Sequence, residues 1–140
     1  ILASKYFAVD IDRESQSAFA MFQGQKNHND EAVKQAQLFI EANTQEKITI
    51  EELANLVALG RRSFERRFKK ATNNSVLEYI NRVKIEFAKR SFETNRRNVT
   101  EVMYDIGYTD TKGFRTIFKK ITGLTPIEYR NKYNKGISVS

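Results

Sequence analysis

The feature that most constrains this chain is a stretch written twice. Arg61 to Asn81 reads RRSFERRFKKATNNSVLEYIN, and Thr111 to Asn131 reads TKGFRTIFKKITGLTPIEYRN. At an offset of 50 (64 to 114), Phe64, Phe68, Lys69, Lys70, Thr72, Glu78, Tyr79 and Asn81 meet Phe114, Phe118, Lys119, Lys120, Thr122, Glu128, Tyr129 and Asn131. Two copies of one basic, helix-patterned unit imply two copies of one device.

Each copy is preceded by a helix-start signal. Thr49 with Glu52 opens TIEELANLV, and Asn98 with Glu101 opens VTEVMYDIG, an offset of 49 (49 to 98). In both, a short polar side chain can accept from the amide three residues on while the glutamate reaches back. Because the offset grows from 49 to 50, the second turn, Gly107 to Asp110, is expected to be one residue longer than the first, Ala58 to Gly60. Gly60 is expected to supply the positive φ of the first turn, and Asp110 to cap the helix from Thr111 to about Ile121. Two helices joined by about three residues have helix-turn-helix spacing.

The remaining elements follow from the same signals. Val33, Ala36, Phe39 and Ile40 recur at helical spacing between Asp30 and Ala42, with Asn29 or Asp30 as cap, and a loop runs from Asn43 to Lys47. Ile50, Leu53, Leu56 and Val57 form the apolar face of the next helix. Ser75 with Glu78 starts a long helix to about Glu93 carrying Val76, Leu77, Ile80, Val83, Phe87, Ala88 and Phe92. Thr125-Pro126-Ile127-Glu128 starts a last helix to about Tyr133, with proline at its first position.

The expected fold is all-α, with two helix-turn-helix subdomains (about 49–72 and 98–122), a connecting helix (about 75–93) and a last helix (about 125–133), in a domain over 30–133. Residues 134–140 read as a frayed tail. Residues 1–29 read as an arm: short apolar pieces flank DRESQS, and GQKNHND is linker-like.

A formal charge of +7 and a pI near 9.7 point to a polyanionic partner, nucleic acid before an anionic membrane surface. There is no cysteine, which excludes disulfides, thiolate chemistry and cysteine zinc sites. No apolar run is long enough to span a bilayer and no secretory leader opens the chain, so a cytoplasmic protein without a membrane partner is expected. His28, the single histidine, stands in the linker. With no phosphate-binding glycine loop, no metal-ligand spacing and no nucleophile beside a base, no catalytic residue, metal or cofactor is assigned, and the chain reads as a non-enzyme.

At about 100° per residue, Phe64, Phe68 and Ala71 share one face of their helix, and Arg62, Ser63, Arg66, Lys69 and Lys70 share the other. In the second copy Phe114, Ile117, Phe118 and Ile121 point inward. Lys112, Thr116, Lys119 and Lys120 point outward, with Thr111 and Arg115 on the flank. Such a helix fits the DNA major groove, where Arg or Lys donates to guanine O6 and N7 and Thr meets base edges or the thymine methyl. Arg62, Arg66, Lys112, Arg115 and Thr116 are therefore candidate base readers. Lys69, Lys70, Lys119 and Lys120 suit phosphate, and Arg61, Ser63 and Thr111 complete the surface. Glu65 either accepts from cytosine N4 or pairs with Arg61 or Lys69 at four-residue spacing. A basic helix face is also what plain solvation produces; its occurrence twice, each time after a capped helix and turn, is what favours DNA.

These residues resemble the DNA-binding domain of AraC/XylS-type transcription regulators over roughly Asp30 to Tyr133. The matching motifs are IGY at Ile106 to Tyr108, F-x-x-x-F-K-K at Phe114 to Lys120 and G-x-T/S-P-x-x-Y-R at Gly123 to Arg130. The resemblance implies seven helices, recognition helices in adjacent major-groove segments, base contacts at Arg62, Glu65, Arg66, Lys112, Arg115 and Thr116, and double-stranded DNA and RNA polymerase as partners. Two departures stand out. Met103 replaces a usual small Ala against the recognition helix, and Asn73-Asn74 replaces Thr-Gly, asparagine being suited to a left-handed helix end. The opening KYFAVDIDRESQSAFAMFQGQK resembles the end of a PfpI-like, amidotransferase-like domain, which implies the C-terminal part of a longer regulator. Oligomeric state stays open, a dimer of the parent being one arrangement. The alternative function is a sequence-indifferent nucleic-acid or protein-interaction module on the same basic surface.

Overall fold

Polar side chains cap the starts of the described helices, all but one of them. The computed structural model describes residues 26–134; the readings of residues 1–25, with the PfpI-like stretch, and of 135–140 lie outside them. Seven helices occur among the described residues: α1 (Glu31–Ala42), α2 (Ile50–Leu56), α3 (Arg61–Thr72), α4 (Val76–Thr94), α5 (Val99–Asp105), α6 (Thr111–Thr122) and α7 (Pro126–Tyr133). No strand is found among them, so the class is all-α. The described residues fall into two units, one of 26–43 and 48–80, the other of 44–47 and 81–134.

In the first unit Asp30 accepts from the Val33 amide to start α1, and Thr49 and Glu52 form the reciprocal box that starts α2. Val33, Ala36, Ile40, Leu53, Phe64, Phe68 and Val83's predecessors on α4, Val76, Tyr79 and Ile80, are buried. The Phe68 ring lies edge-on to Phe64 and Tyr79, with centroids 5.7 and 5.5 Å away. Each fully buried phenylalanine is worth about 1.5–3 kcal/mol of hydrophobic transfer. Tyr79 donates to Glu41 Oε2 at 2.6 Å, and Lys26 Nζ reaches the same carboxylate at 2.7 Å. Burial first, and Glu41 second, push the Tyr79 phenol above its ordinary value.

Two expected core residues lie outside. Leu56 is 42% exposed and Leu77 59% exposed. Ala54 beside Leu53 turns the buried face of α2 so that Leu56 falls on its flank, and Val76, Tyr79 and Ile80 do the same to Leu77. The linker-like residues are also tied down. His28 Nδ1 accepts from the Asp30 amide at 3.1 Å, so the proton sits on Nε2, 2.9 Å from Oε1 of the fully buried Gln37.

The second unit repeats the plan. Ile85, Ala88, Phe92, Val102, Met103, Ile106, Phe114, Phe118 and Tyr129 form its core. Phe118 packs against Phe114, Phe92 and Tyr129 at 5.8, 5.6 and 5.5 Å. Tyr129 donates to Glu93 as Tyr79 does to Glu41. Met103, where a small residue is usual, is 1% exposed and belongs to this core.

Lys84 is 5% exposed and donates to the carbonyls of Thr44, Glu46 and Ile106 at 2.6, 2.8 and 2.7 Å. Burial pushes its ammonium down to about 8, while three acceptors match the three N–H bonds of the charged form. Asn134, read as the start of a frayed tail, is buried instead; its Nδ2 donates to Phe92 O at 2.6 Å and Asn95 O at 2.8 Å.

The two turns are alike in kind and unequal in length: four residues (57–60) separate α2 from α3, and five (106–110) separate α5 from α6. Leu59 N to Ala54 O and Ala58 N to Asn55 O close the first; Tyr108 N to Met103 O and Gly107 N to Tyr104 O close the second. This paired closure needs a left-handed residue just after the helix. That residue is Gly107 at φ 86° in the second turn and Ala58 at φ 59° in the first. Gly60, expected to take the positive φ, is extended at φ −67° because the closure falls two residues earlier.

Candidate nucleic-acid interface

Helix α3 is oriented by what it buries. With Phe64 and Phe68 fully inside, Arg62, Arg66, Lys69 and Lys70 are exposed, and Ser63 and Glu65 half-buried. Arg67, between them in sequence, points elsewhere: its Nε and Nη2 grip both oxygens of Asp30 at 2.9 and 2.8 Å. The Arg67 guanidinium, foremost through this hydrogen bonding, holds the Asp30 carboxyl below its ordinary value. Adjacent arginines thus divide the work, Arg67 tying α3 to the start of α1 and Arg66 left outward.

Arg61 is not a free cation. Its Nη1 pairs with Glu51 Oε2 on the first turn of α2, and its Nε lies 3.5 Å from Glu65 Oε1. A hydrogen bond from its own amide first, and Arg61 after it, hold the Glu51 carboxyl below its ordinary value. Of the readings of Glu65, the pairing with Arg61 is present. No sequence spacing shows that the turn brings residues 51 and 61 together.

Helix α6 presents the second surface. Phe114 and Phe118 are buried, Ile117 and Ile121 partly so, and Thr111, Lys112, Arg115, Thr116, Lys119 and Lys120 are exposed. Thr116 Oγ1 donates to Lys112 O at 2.9 Å, so its proton is used within the helix. Arg62, Arg66, Lys70, Lys112, Arg115 and Lys120 form no ion pair among the described residues.

Left-handed residues and a repeated threonine fix the ends of both helices. Asn73 (φ 63°) and Gly123 (φ 87°) turn left-handed, their amides donating to Lys69 O and Lys119 O, both at 2.8 Å. Thr72 and Thr122 donate from Oγ1 to the Phe68 and Phe118 carbonyls, both at 2.9 Å, and accept from the Asn74 and Leu124 amides, both at 3.1 Å. The starts differ. Gly60 gives α3 no side-chain cap, whereas the Asp110 carboxylate accepts from the Gly113 amide at the start of α6. Amides at the first turn of α3 are left for an anion; those of α6 already face one.

No helix among the described residues is long and apolar enough to cross a membrane, and no group of three or more His, Asp or Glu residues among them is placed to hold a metal ion. A family described as a helix-turn-helix domain matches residues 53–132. The chain is 34% identical over 106 residues to an uncharacterized HTH-type transcriptional regulator from the cgkA 5′ region of Pseudoalteromonas carrageenovora, covering 76% of this chain and 63% of that protein. It therefore spans less than two thirds of that relative's length. A crystal structure of a transcriptional regulator with an AraC-type DNA-binding domain, from Chromobacterium violaceum, superposes with a TM-score of 0.68 at 20% identity, over 74% of this chain and 93% of that one. The DNA-binding domain of AdpA, solved in complex with a target DNA, superposes with a TM-score of 0.72 at 24% identity, over 79% of this chain and 100% of that one.

Proposed function

Since the chain belongs to the helix-turn-helix domain family, we propose that it is the DNA-binding part of an AraC-type transcription regulator, binding double-stranded DNA sequence-specifically through α3 and α6 and so regulating transcription. The observation that carries this reading is the matched pair of exposed basic faces, each held rigid by two buried phenylalanines and a left-handed C-terminal cap. The DNA complex of a domain with the same fold supports it.

In this reading Arg62 and Arg66, with Lys112 and Arg115, donate to guanine edges, while Thr116 offers its methyl to thymine. Ser63, Lys69, Lys70, Thr111, Lys119 and Lys120 meet phosphate and set register, as do the uncapped amides of α3. RNA polymerase is the partner through which binding alters transcription. Two units in one chain can engage DNA without dimerisation. The PfpI-like character of the opening stretch supports a preceding amidotransferase-like domain, a proposal that the coding sequence upstream of Ile1 tests.

Arg66→Ala and Lys70→Ala separate base reading from phosphate contact. Arg66→Ala is expected to weaken a selected duplex by about 1–3 kcal/mol more than random duplex; Lys70→Ala is expected to weaken both alike and lower the salt slope by about one. Equal losses on both duplexes for Arg66→Ala would favour the sequence-indifferent module.

A further inference from the structure

We propose that Glu65 selects cytosine in the half of the site read by α3, and that Arg61, anchored by Glu51, positions its carboxylate for that contact. This rests on the DNA-binding reading above and names a base and a positioning device within it.

One charge on α3 is opposite in sign to its neighbours. Glu65 stands among Arg62, Arg66 and Lys69 on the helix face that would meet a polyanion, with its side chain 44% exposed. A carboxylate there is repelled by phosphate and loses hydration unless it finds a donor. In the major groove guanine shows O6 and N7 and thymine O4, all acceptors. Adenine pairs its N6 donor with the N7 acceptor, and cytosine shows the N4 donor alone. An acceptor-only side chain is therefore satisfied best by cytosine and rejects the others by repulsion, which is how a binding surface discriminates against wrong partners.

A glutamate on an exposed helix face explores several rotamers, and ordering it for a base has an entropic cost. Arg61 reduces that freedom. It is itself tethered across the turn by Glu51, and its Nε faces Oε1 of Glu65 at 3.5 Å, while the several lone pairs of a carboxylate let it accept from a base donor as well. The cation also screens Glu65 from nearby phosphate. The second unit lacks the device: the positions matching Glu51, Arg61 and Glu65 are Thr100, Thr111 and Arg115. At one place on the repeated scaffold the two helices thus carry opposite hydrogen-bonding polarity, an acceptor suited to cytosine in α3 and a donor suited to guanine in α6.

The test uses the 140-residue chain and a pool of randomised duplexes. Wild type is expected to enrich cytosine at one position of the α3 half, and replacing that cytosine with thymine to weaken binding roughly tenfold. Glu65→Gln should move the preference at that position to adenine, because an amide both donates and accepts. Arg61→Ala and Glu51→Gln should each reduce the cytosine preference by a few-fold while leaving thermal unfolding and other positions unchanged, and Arg61→Lys should restore part of it. An unchanged base preference in Glu65→Gln overturns the selecting role. Equal weakening of all duplexes by Arg61→Ala, with a salt slope lower by about one, makes Arg61 a phosphate contact and overturns the positioning role. Salt-insensitive or unselective binding by wild type would instead remove the DNA reading on which the inference stands.

Discussion

At the scale of the residue, backbone angle and charge partner separate side chains that the sequence shows as alike. Ala58 and Gly107 do one job, but Ala58 does it at φ 59°, where a Cβ is unfavourable. Ala58→Gly should raise stability by about 0.5–1 kcal/mol, read from urea unfolding. Gly107→Ala should cost about 2 kcal/mol or more, because its Cβ would sit 3.1 Å from both Gln45 O and Lys84 Nζ at φ 86°; equal midpoints for either variant and wild type would contradict this. Asp30 supplies a pH dependence. Its carboxyl is held below the unfolded value of 3.8 chiefly by Arg67, so its contribution is present above that value and lost as pH falls through the lower folded one. Asp30→Asn should therefore be less stable than wild type at neutral pH, with the gap closing as pH drops below 4. Helical spacing separates Arg66 from Arg67, but the sequence could not show that Arg67 grips Asp30 or place the positive φ on Ala58, because both depend on packing partners and closures outside the local pattern.

Elements were far more legible. Thr49, Asn98 and Thr125, each with a glutamate three residues on, mark helix starts through bonds that are local in sequence, and all three boxes are present. Apolar periodicity likewise marks Phe64 with Phe68 and Phe114 with Phe118. What stayed hidden are the buried polar groups, since periodicity reads Lys84, Gln37 and Asn134 as surface. Their acceptors come from other elements; those of Lys84 lie on residues 44, 46 and 106. Lys84→Met keeps the length of the side chain and strands three carbonyls, with an expected loss of about 3 kcal/mol in unfolding free energy. A variant as stable as wild type would mean that water serves those carbonyls equally well.

At the scale of the whole molecule, one scaffold is written twice and edited at its surface. Phe, Thr, Glu and Tyr recur because they pack, cap and tether, as Tyr79 to Glu41 and Tyr129 to Glu93 illustrate. Outward positions diverge: Arg62 against Lys112, Glu65 against Arg115, Arg66 against Thr116. With a net charge of +7, binding to any duplex should weaken steeply with salt as phosphate contacts release counterions. Specificity has to come from the divergent positions. The most direct measurement is selection from randomised duplex DNA by wild type, Arg66→Ala and Arg115→Ala side by side. Two separate blocks of selected bases are expected for wild type, with Arg66→Ala relaxing one and Arg115→Ala the other. A single block relaxed by both variants, or no selected block at all, would contradict two recognition helices reading different bases.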